Sequence, residues 1–327
     1  MKKIFIRSPY FIEVDEVGQT SAKIEVFLWN KGTTEPTTPN YTFTKQIPSP
    51  TQTKLEWNVS NLAKSFIKPI APVSVSVPTE ENVNTWCYMR VISYSDDVEI
   101  LDEVYVCLNG YTNYLDGYNQ SITDAIVPLF NTSIKNYVKD FDTNYVSFFL
   151  EVGSYDSSQD IIEVTAPAIW KFPILQENES LDSISETFTI TSEELCEPKY
   201  TPIVCTYINR FGGWQYLTFF KANSQGIDVK SKDFNLLPSS INYNPLQGVK
   251  QRFNFQGTQK IKCNTGWVDE NYSELIQDLM LSEVVLLDNK PAIVKSQSFD
   301  IKTHLKDKNI NYEIEFEFNY GLINDVI

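Results

Sequence analysis

Apolar and polar residues alternate with a period of two along most of this chain, a pattern typical of β-strands with one buried face. Turn signals such as Ser95-Asp96-Asp97 and Asn109-Gly110 separate the alternating runs. Strands are predicted at 23–29, 41–44, 55–57, 86–92, 103–108, 145–152, 161–164, 187–191, 203–208, 217–220, 252–255, 283–287, 292–294 and 311–318. Short strands at a spacing of roughly 8–15 residues predict a mainly β fold of sandwich-like domains.

Helical periodicity is limited to a few places. Asn58 or Ser60 can cap a short helix that Pro69 ends. A longer helix is predicted over 268–280, where apolar residues share one face and two acids lie in the first turn. Weak helical character is also present near 122–134. The expected fold is therefore mainly β, with one short and one longer helix.

The length of 327 residues suggests two or three domains. We expect an N-terminal β-sandwich domain over 1–110, a middle β-rich domain over 111–208, and a C-terminal β-rich domain over 209–327 that contains the longer helix. A hydrophobic content of 42%, including 13% aromatic residues, supplies enough apolar side chains for their cores.

The net charge of −15 comes from 27 basic and 42 acidic residues. Such a charge repels nucleic acids and anionic membranes unless a local basic patch overrides it, so we expect no direct nucleic-acid binding. The densest basic stretch, 295–308, is interrupted by acids and is interpreted as a solvated surface. The start of the chain has too few apolar residues for a secretory signal, and no run reaches the ~18 apolar residues of a membrane span. We expect a protein made in the cytoplasm that does not enter a membrane.

Little in the sequence favours catalysis. The chain has a single histidine, His304, although imidazole is the usual base, proton shuttle or metal ligand at neutral pH. Its 12 glycines form no phosphate-binding motif. The five cysteines, Cys87, Cys107, Cys196, Cys205 and Cys263, lack zinc-site spacing. We expect them to be reduced and buried, with bridges between Cys87 and Cys107 or between Cys196 and Cys205 as the alternative.

The acidic residues offer two further candidates for chemistry. Residues 140–144 match the first ligand positions of a calcium loop, and Glu151 falls at the twelfth position. Tyr145 replaces the glycine required at the sixth position, so a turn capped by Asp and Asn is favoured. The adjacent pairs Glu193-Glu194 and Asp96-Asp97 lie in predicted turns, which is poor geometry for a glycosidase. We expect no catalytic residue, no metal and no cofactor.

The most distinctive motif is Phe211-Gly212-Gly213-Trp214, followed by Tyr216. Two glycines between large aromatic residues allow a sharp turn or a close approach to another backbone. The motif is interpreted either as a tight turn with buried rings or as a contact surface for a subunit or a sugar ring. The candidate interface residues are Phe211, Gly212, Gly213, Trp214 and Tyr216.

Several segments resemble structural proteins of phages that infect Bacteroidetes, including the crAss-like podophages. These are 8–12 with 23–29, the string 207–214 that contains the glycine motif, and 281–286 before the last strand. The resemblance implies a non-enzymatic virion protein of a tail, tail hub or neck ring. Its implied partners are copies of itself in a ring and other tail, portal or neck proteins, and its location is the virion after synthesis in the host cytoplasm.

Ring subunits meet through head-to-tail surfaces, and long loops can interlock neighbouring copies. The Thr/Pro-rich loop at 33–54, the Pro-rich stretch at 69–78 and the acidic connection at 176–186 are the candidate arms. The alternative function is a carbohydrate-binding or adhesive β-sandwich module that uses exposed aromatic residues.

Overall fold

The computed structural model confirms a mainly β protein, with 54% strand and 7% helix. It describes residues 1–47, 53–73, 75–81, 84–117, 119, 121–139, 144–157, 161–182, 187–195, 199–236, 246, 248–301 and 309–323. Two compact units are formed: Met1–Leu195 with Ile208–Tyr216, and Cys196–Tyr207 with Leu217–Ile327. The expected border between 110 and 111 falls inside the first unit, and the one between 208 and 209 falls within a short segment that belongs to it.

The first part of the first unit is a sandwich. Its strands are β1 (Lys2–Phe5), β2 (Phe11–Asp15), β3 (Ser21–Trp29), β4 (Tyr41–Gln46), β5 (Lys54–Asn58), β7 (Trp86–Ser95) and β8 (Val98–Leu108), while β6 (Thr79–Glu80) joins a sheet of the second part. A five-stranded sheet has the order β1-β8-β7-β3-β4, and β2 pairs with β5. Alternate residues of both sheets are buried in one core that includes Ile12, Ile24, Trp57, Met89 and Val91.

The short predicted helix is present as a 3-10 helix at Ser60–Ser65. The predicted turn between β7 and β8 is also present, since Asp96 and Asp97 have φ angles of 42° and 68°. The Asp96 carboxylate accepts hydrogen bonds from the backbone N–H groups of Thr20 and Ser21 at 2.9 and 2.8 Å. Hydrogen bonds from the Thr20 hydroxyl and from these backbone groups lower the pKa of Asp96 to about 2.

The second part of the first unit is another pair of facing sheets. Its strands are β9 (Ile126–Pro128), β10 (Asn136–Val138), β11 (Tyr145–Leu150), β12 (Gly153–Ser157), β13 (Ile161–Val164), β14 (Ala168–Pro173), β15 (Asn178–Asp182) and β16 (Thr187–Glu194). The sheet orders are β6-β14-β11-β9 and β10-β16-β15-β12-β13. Their core contains edge-to-face aromatic contacts between Phe148 and the rings of Phe130 and Phe172.

Two expectations for this region are wrong. Residues 122–134 are not helical, because Ile122 forms a β-bridge with Lys3 and β9 pairs with β11. The acidic stretch 176–186 is not simply a solvated connection, since it contains β15, which lies between β12 and β16 with Leu181 fully buried. The buried Glu179 carboxylate accepts the Leu175 N–H at 2.9 Å, which satisfies an acid at a core position.

A further apolar cluster connects the two sandwiches of the first unit. Trp86 and Phe149 lie edge to face with ring centroids 5.4 Å apart. The cluster takes residues from both expected segments: Phe5, Trp86, Val106, Leu108, Val127, Leu129, Phe149 and Ile169. Because these side chains are buried together, the two sandwiches belong to one unit.

The C-terminal part of the chain forms a seven-stranded sheet of order β18-β17-β22-β23-β25-β20-β19. The remaining elements are β17 (Ile203–Ile208), β18 (Trp214–Phe219), β19 (Ser224–Asn235), β20 (Lys250–Asn264), β21 (Val268–Asp269), α1 (Ser273–Met280), β22 (Val285–Leu287), β23 (Lys290–Val294), β24 (Asn309–Ile310) and β25 (Glu313–Gly321).

The longer helix is shorter than predicted. Val268 and Asp269 pair with β24 as a strand, and a 3-10 turn over Glu270–Tyr272 comes before α1. The apolar residues of 268–280 do lie on one side, and Leu275, Ile276 and Leu279 are buried. The 3.6-residue spacing therefore predicted the buried face of the helix, but not the strand pairing that replaces its first residues.

Candidate assembly surface

The turn between β17 and β18 contains the Phe-Gly-Gly-Trp motif. The Asn209 side-chain oxygen accepts the N–H groups of Phe211 and Gly213 at 3.0 and 3.2 Å, while the Asn209 N–H donates to the Gly213 carbonyl at 3.0 Å. An Asn side chain that replaces backbone partners in this way stabilises a tight turn. Gly212 has a φ of 85°, which residues with a Cβ rarely adopt.

Both glycines are also required by close packing. A Cβ on Gly213 would lie 2.4 Å from the Leu129 carbonyl oxygen, and a Cβ on Gly212 would lie 2.9 Å from the Asn109 backbone. The side-chain Nδ2 of Asn209 donates a hydrogen bond to the same Leu129 oxygen at 2.8 Å. The turn is therefore packed backbone against backbone within the first unit.

The five predicted interface residues are placed differently from one another. Trp214 is only 3% exposed and Gly213 is buried, whereas Phe211, Gly212 and Tyr216 are partly exposed. Tyr216 meets Tyr145 edge to face with a centroid distance of 5.1 Å. The burial of Trp214 excludes it as a stacking platform for a sugar ring in this structure. An interface role for the partly exposed residues stays a prediction.

A small cavity lined by both polar and apolar residues lies beside this turn. Its volume of about 10 Å³ has room for about one water molecule. Burial raises the pKa of Glu81, and the Lys171 ammonium at 3.8 Å partly offsets this effect. A substrate does not fit this cavity, whose lining residues are Pro69, Glu81, Thr85, Asn109, Ile169, Ile208, Gly212, Gly213 and Trp214.

β19 and β20 form a long hairpin, here called the arm (224–264), whose outer part is largely exposed. The two strands pair from Ser224 with Lys262 to Asn235 with Lys250. At about 3.4 Å per residue, the twelve residues of β19 extend about 40 Å. Every residue of β19 is exposed, which is unusual for a strand of this length.

No described strand lies beside the outer part of the arm on either side. Within β20, β25 pairs with residues from Thr258 inward, so among the described residues Lys250–Gln256 pair only with β19. β19 is itself the last strand of the sheet, and its other edge faces no described strand. Its backbone N–H and C=O groups along that edge are therefore open to another chain.

A β-bulge bends the arm near its middle. The register shifts between Lys230 and Lys232, opposite Asn254, which has a φ of 52°. Asparagine tolerates this left-handed conformation better than most residues, and a bulge increases strand twist. Beyond the bulge, the rings of Phe234 and Phe253 meet with centroids 5.5 Å apart.

The arm exposes apolar side chains to solvent. Ile227 and Val229 are each 61% exposed, and both lie on one face of β19 because they are two residues apart. Phe234, Phe253 and Phe255 are also exposed. Exposed apolar groups concentrated on one element mark an interaction surface more often than isolated ones do.

The arm is basic although the chain is acidic. Residues 224–264 include six basic and two acidic side chains, a net charge of +4, within a chain of net charge −15. Asp233 forms ion pairs with Lys250 at 2.6 Å and Arg252 at 3.4 Å. Lys230 and Lys232 form no ion pair with a described residue and project positive charge from the outer arm.

Metal-ligating groups are not assembled in the part of the chain that the structure describes. There, no three His, Cys, Asp or Glu side chains are close enough to hold a metal ion. Cys87, Cys107, Cys205 and Cys263 are free and buried, as predicted. His304, Cys196 and the start of the calcium-like loop, 140–143, lie outside the described residues.

The arm was not predicted from the sequence. The alternation predicts a strand at 252–255, but no element is predicted at 224–235. The available signal was the alternation Ile227-Asp228-Val229-Lys230, followed by a second alternating stretch after Val249. Periodicity of this kind identifies strands but does not show whether the apolar face has a core to cover it.

Comparisons with protein-family models, curated proteins and solved structures gave no match to this chain. In the described part of the chain, no helix combines the length and apolar character needed to cross a membrane.

Proposed function

We propose that this chain is a non-enzymatic virion structural protein that forms a ring or hub in a phage tail or neck. It does so through contacts with copies of itself and with other virion proteins. The resemblance of 8–12, 23–29 and 207–214 to phage structural proteins supports the class, and the arm supports the mode of action.

The arm is the observation that carries the proposal. An unpaired strand edge with exposed apolar residues is a liability for a monomer, because it promotes pairing with other chains. Natural proteins cover or shorten such edges, whereas this edge extends over the twelve residues of β19. A partner that buries Ile227, Val229 and the arm's phenylalanines removes this liability and gains hydrophobic free energy.

The first unit contributes rigidity to this role. Its two sandwiches share the cluster around Trp86 and Phe149, and backbone packing holds the glycine turn against Leu129. Close-packed interiors of this kind deform little. A stiff first unit suits a subunit whose task is to transmit shape to its neighbours.

The test compares the intact chain with a trimmed variant. Replacing 230–256 with Asn-Gly joins Val229 to Gly257, which already pair, through a two-residue turn that suits a hairpin. Native mass spectrometry and negative-stain electron microscopy of the intact chain are expected to show one closed oligomer. The trimmed variant is expected to be monomeric by native mass spectrometry and folded by circular dichroism. An intact chain that stays monomeric at every concentration contradicts the proposal.

A matched pair of point variants separates the arm from general surface effects. Val229→Ser is expected to weaken self-association, since it removes apolar contact from the arm. Val17→Ser makes the same chemical change at a residue that is fully exposed in the first unit, and it is expected to leave association unchanged. Equal effects of the two variants would argue against a specific role for the arm.

A further inference from the structure

The arm needs a receiving surface, and the free part of β8 has the matching shape and charge. We propose that the outer part of β19 (Val229–Asn235) adds as a strand to Val98–Val104, here called the β8 edge, of a second copy of this chain. The inference rests on the proposed function and names the surface that receives the arm.

The β8 edge is a second unpaired strand edge. β1 pairs only with Tyr105–Leu108 of β8, so on that side no described strand covers Val98–Val104, while β7 occupies the other side. Val98 and Ile100 are 64% and 43% exposed. Strand addition uses open backbone groups for affinity and alternate side chains for specificity.

The lengths of the two edges agree. Val98–Val104 and Val229–Asn235 each contain seven residues, an extent of about 23 Å at 3.3–3.4 Å per residue. Each edge also carries two exposed, aliphatic or aromatic anchors, Val98 with Ile100 and Val229 with Phe234. Pairing the edges would satisfy backbone groups on both strands and cover apolar residues on both.

The charges of the two edges are opposite. Residues 96–103 contain five acids and no basic residue, whereas the outer β19 strand carries Lys230 and Lys232. Asp102 and Glu103 are already engaged by Arg90 and Lys2. Asp97 and Glu99, at the tip, are exposed and available to pair with lysines of an incoming strand. Complementary charge of this kind steers association and fixes register.

Charge also identifies the occupant as another copy. With a net charge of +4 on residues 224–264, the remainder of the chain carries −19. The other copies therefore present an acidic surface to each arm, and among acidic segments the β8 edge adds an open strand edge. Because the arm and the receiving edge are different segments, their contact is head-to-tail, which produces a ring where the rotation closes.

Charge reversal and its rescue test this contact. The arm variant Lys230→Glu/Lys232→Glu and the edge variant Asp97→Lys/Glu99→Lys are each expected to weaken self-association at least about tenfold. When the two variants are mixed, each contact between unlike variants again pairs opposite charges, so alternating copies are expected to restore the oligomer. Lys290→Glu, an exposed lysine outside the arm, serves as the charge control and is expected to have no effect.

Cross-linking places the contact directly. One copy carries Ser231→Cys and a second, isotope-labelled copy carries Glu99→Cys. A short bis-maleimide is expected to join labelled and unlabelled peptides, and this link must connect two copies because each carries only one added cysteine. The native chain under the same reagent is the control for its own cysteines.

The outcomes separate this inference from the proposed function. If arm reversal abolishes the oligomer while edge reversal leaves it intact, the arm docks elsewhere, so this inference fails and the proposed function stands. If the intact chain never assembles, the proposed function itself fails. If arm reversal abolishes binding to a DNA duplex and leaves self-association unchanged, the arm is a nucleic-acid surface and the inference is wrong.

Discussion

The packing of the glycine turn predicts how much stability each Gly→Ala substitution costs, and four glycines in different surroundings test it. In Gly213→Ala, the new Cβ would lie 2.4 Å from the Leu129 carbonyl oxygen, far inside contact distance. Backbone or side chains must shift, and such overpacking costs about 1–3 kcal/mol. Gly212→Ala adds a second penalty, because its φ of 85° costs a residue with a Cβ about 1–2 kcal/mol.

Two other glycines separate these causes. Gly18 has a φ of 83° but no atom near a new Cβ, so Gly18→Ala is expected to lose only about 1–2 kcal/mol from the backbone. Gly226 has neither feature, and Gly226→Ala is expected to stay within about 0.5 kcal/mol of the parent. The expected order of destabilisation is Gly212, then Gly213 with Gly18, then Gly226.

Urea unfolding followed by tryptophan fluorescence and circular dichroism measures these differences. The chain has two units, so each variant is compared with the parent in the transition of its own unit, the first for Gly18, Gly212 and Gly213 and the second for Gly226. The reasoning is refuted if Gly213→Ala is as stable as the parent, since a turn that accepts a Cβ there is not packed against Leu129. Loss of stability in Gly226→Ala equal to that of Gly213→Ala would also refute it.

Trp86→Ala should cost about 3–5 kcal/mol in urea unfolding, because it empties the cluster that connects the two sandwiches. Trp267→Ala, at a residue 62% exposed, should cost under about 1 kcal/mol. Similar losses in the two variants would contradict this packing. Glu151→Ala should cost about 3–5 kcal/mol, because the fully buried Lys3 ammonium lies 2.6 Å from that carboxylate and would lose its ion pair. Lys3→Met should lose less stability in thermal unfolding than Glu151→Ala. A larger loss in Lys3→Met would contradict this prediction. Hydrogen bonding lowers the folded pKa of Asp96 from 3.8 to about 2, so its contribution is present above pH 4 and is lost as the pH falls toward 2. Asp96→Asn should flatten that part of the stability–pH profile, and an unchanged slope would show that other acids cause it.

Local patterns predicted much of the fold. β13 and β17 have the predicted bounds, because each is a short β-branched run between turn residues. The Asp96–Asp97 turn follows from residues that tolerate a positive φ. In these places, propensity and tertiary pairing favour the same structure, so the sequence is sufficient.

The failures have a common cause in pairing between distant parts of the chain. The start of the predicted helix at Val268 was lost to a strand partner at Ile310, and the acidic β15 is held between two other strands. The arm was missed because its alternation resembles that of any half-buried strand. The sheet order shows that β19 is an edge strand, and the exposure of all its residues shows that neither face is covered by the described part of the chain.

The glycine motif was identified as special, but its two readings could not be separated by sequence. Trp214 is buried beside Gly213, which packs against Leu129, a residue far away in the chain. The residues expected to bring copies together are thus only partly exposed, and the arm offers a larger apolar surface that carries more charge.

Hydrogen–deuterium exchange of the backbone amides of Val229–Asn235 tests the central claim, that this strand is covered by another chain in the assembled protein. The account predicts fast exchange of the edge-facing amides at concentrations where the chain is monomeric, and strong protection once the oligomer forms. Equally fast exchange in both states, in a preparation that contains the closed oligomer, would show that the arm plays no part in assembly.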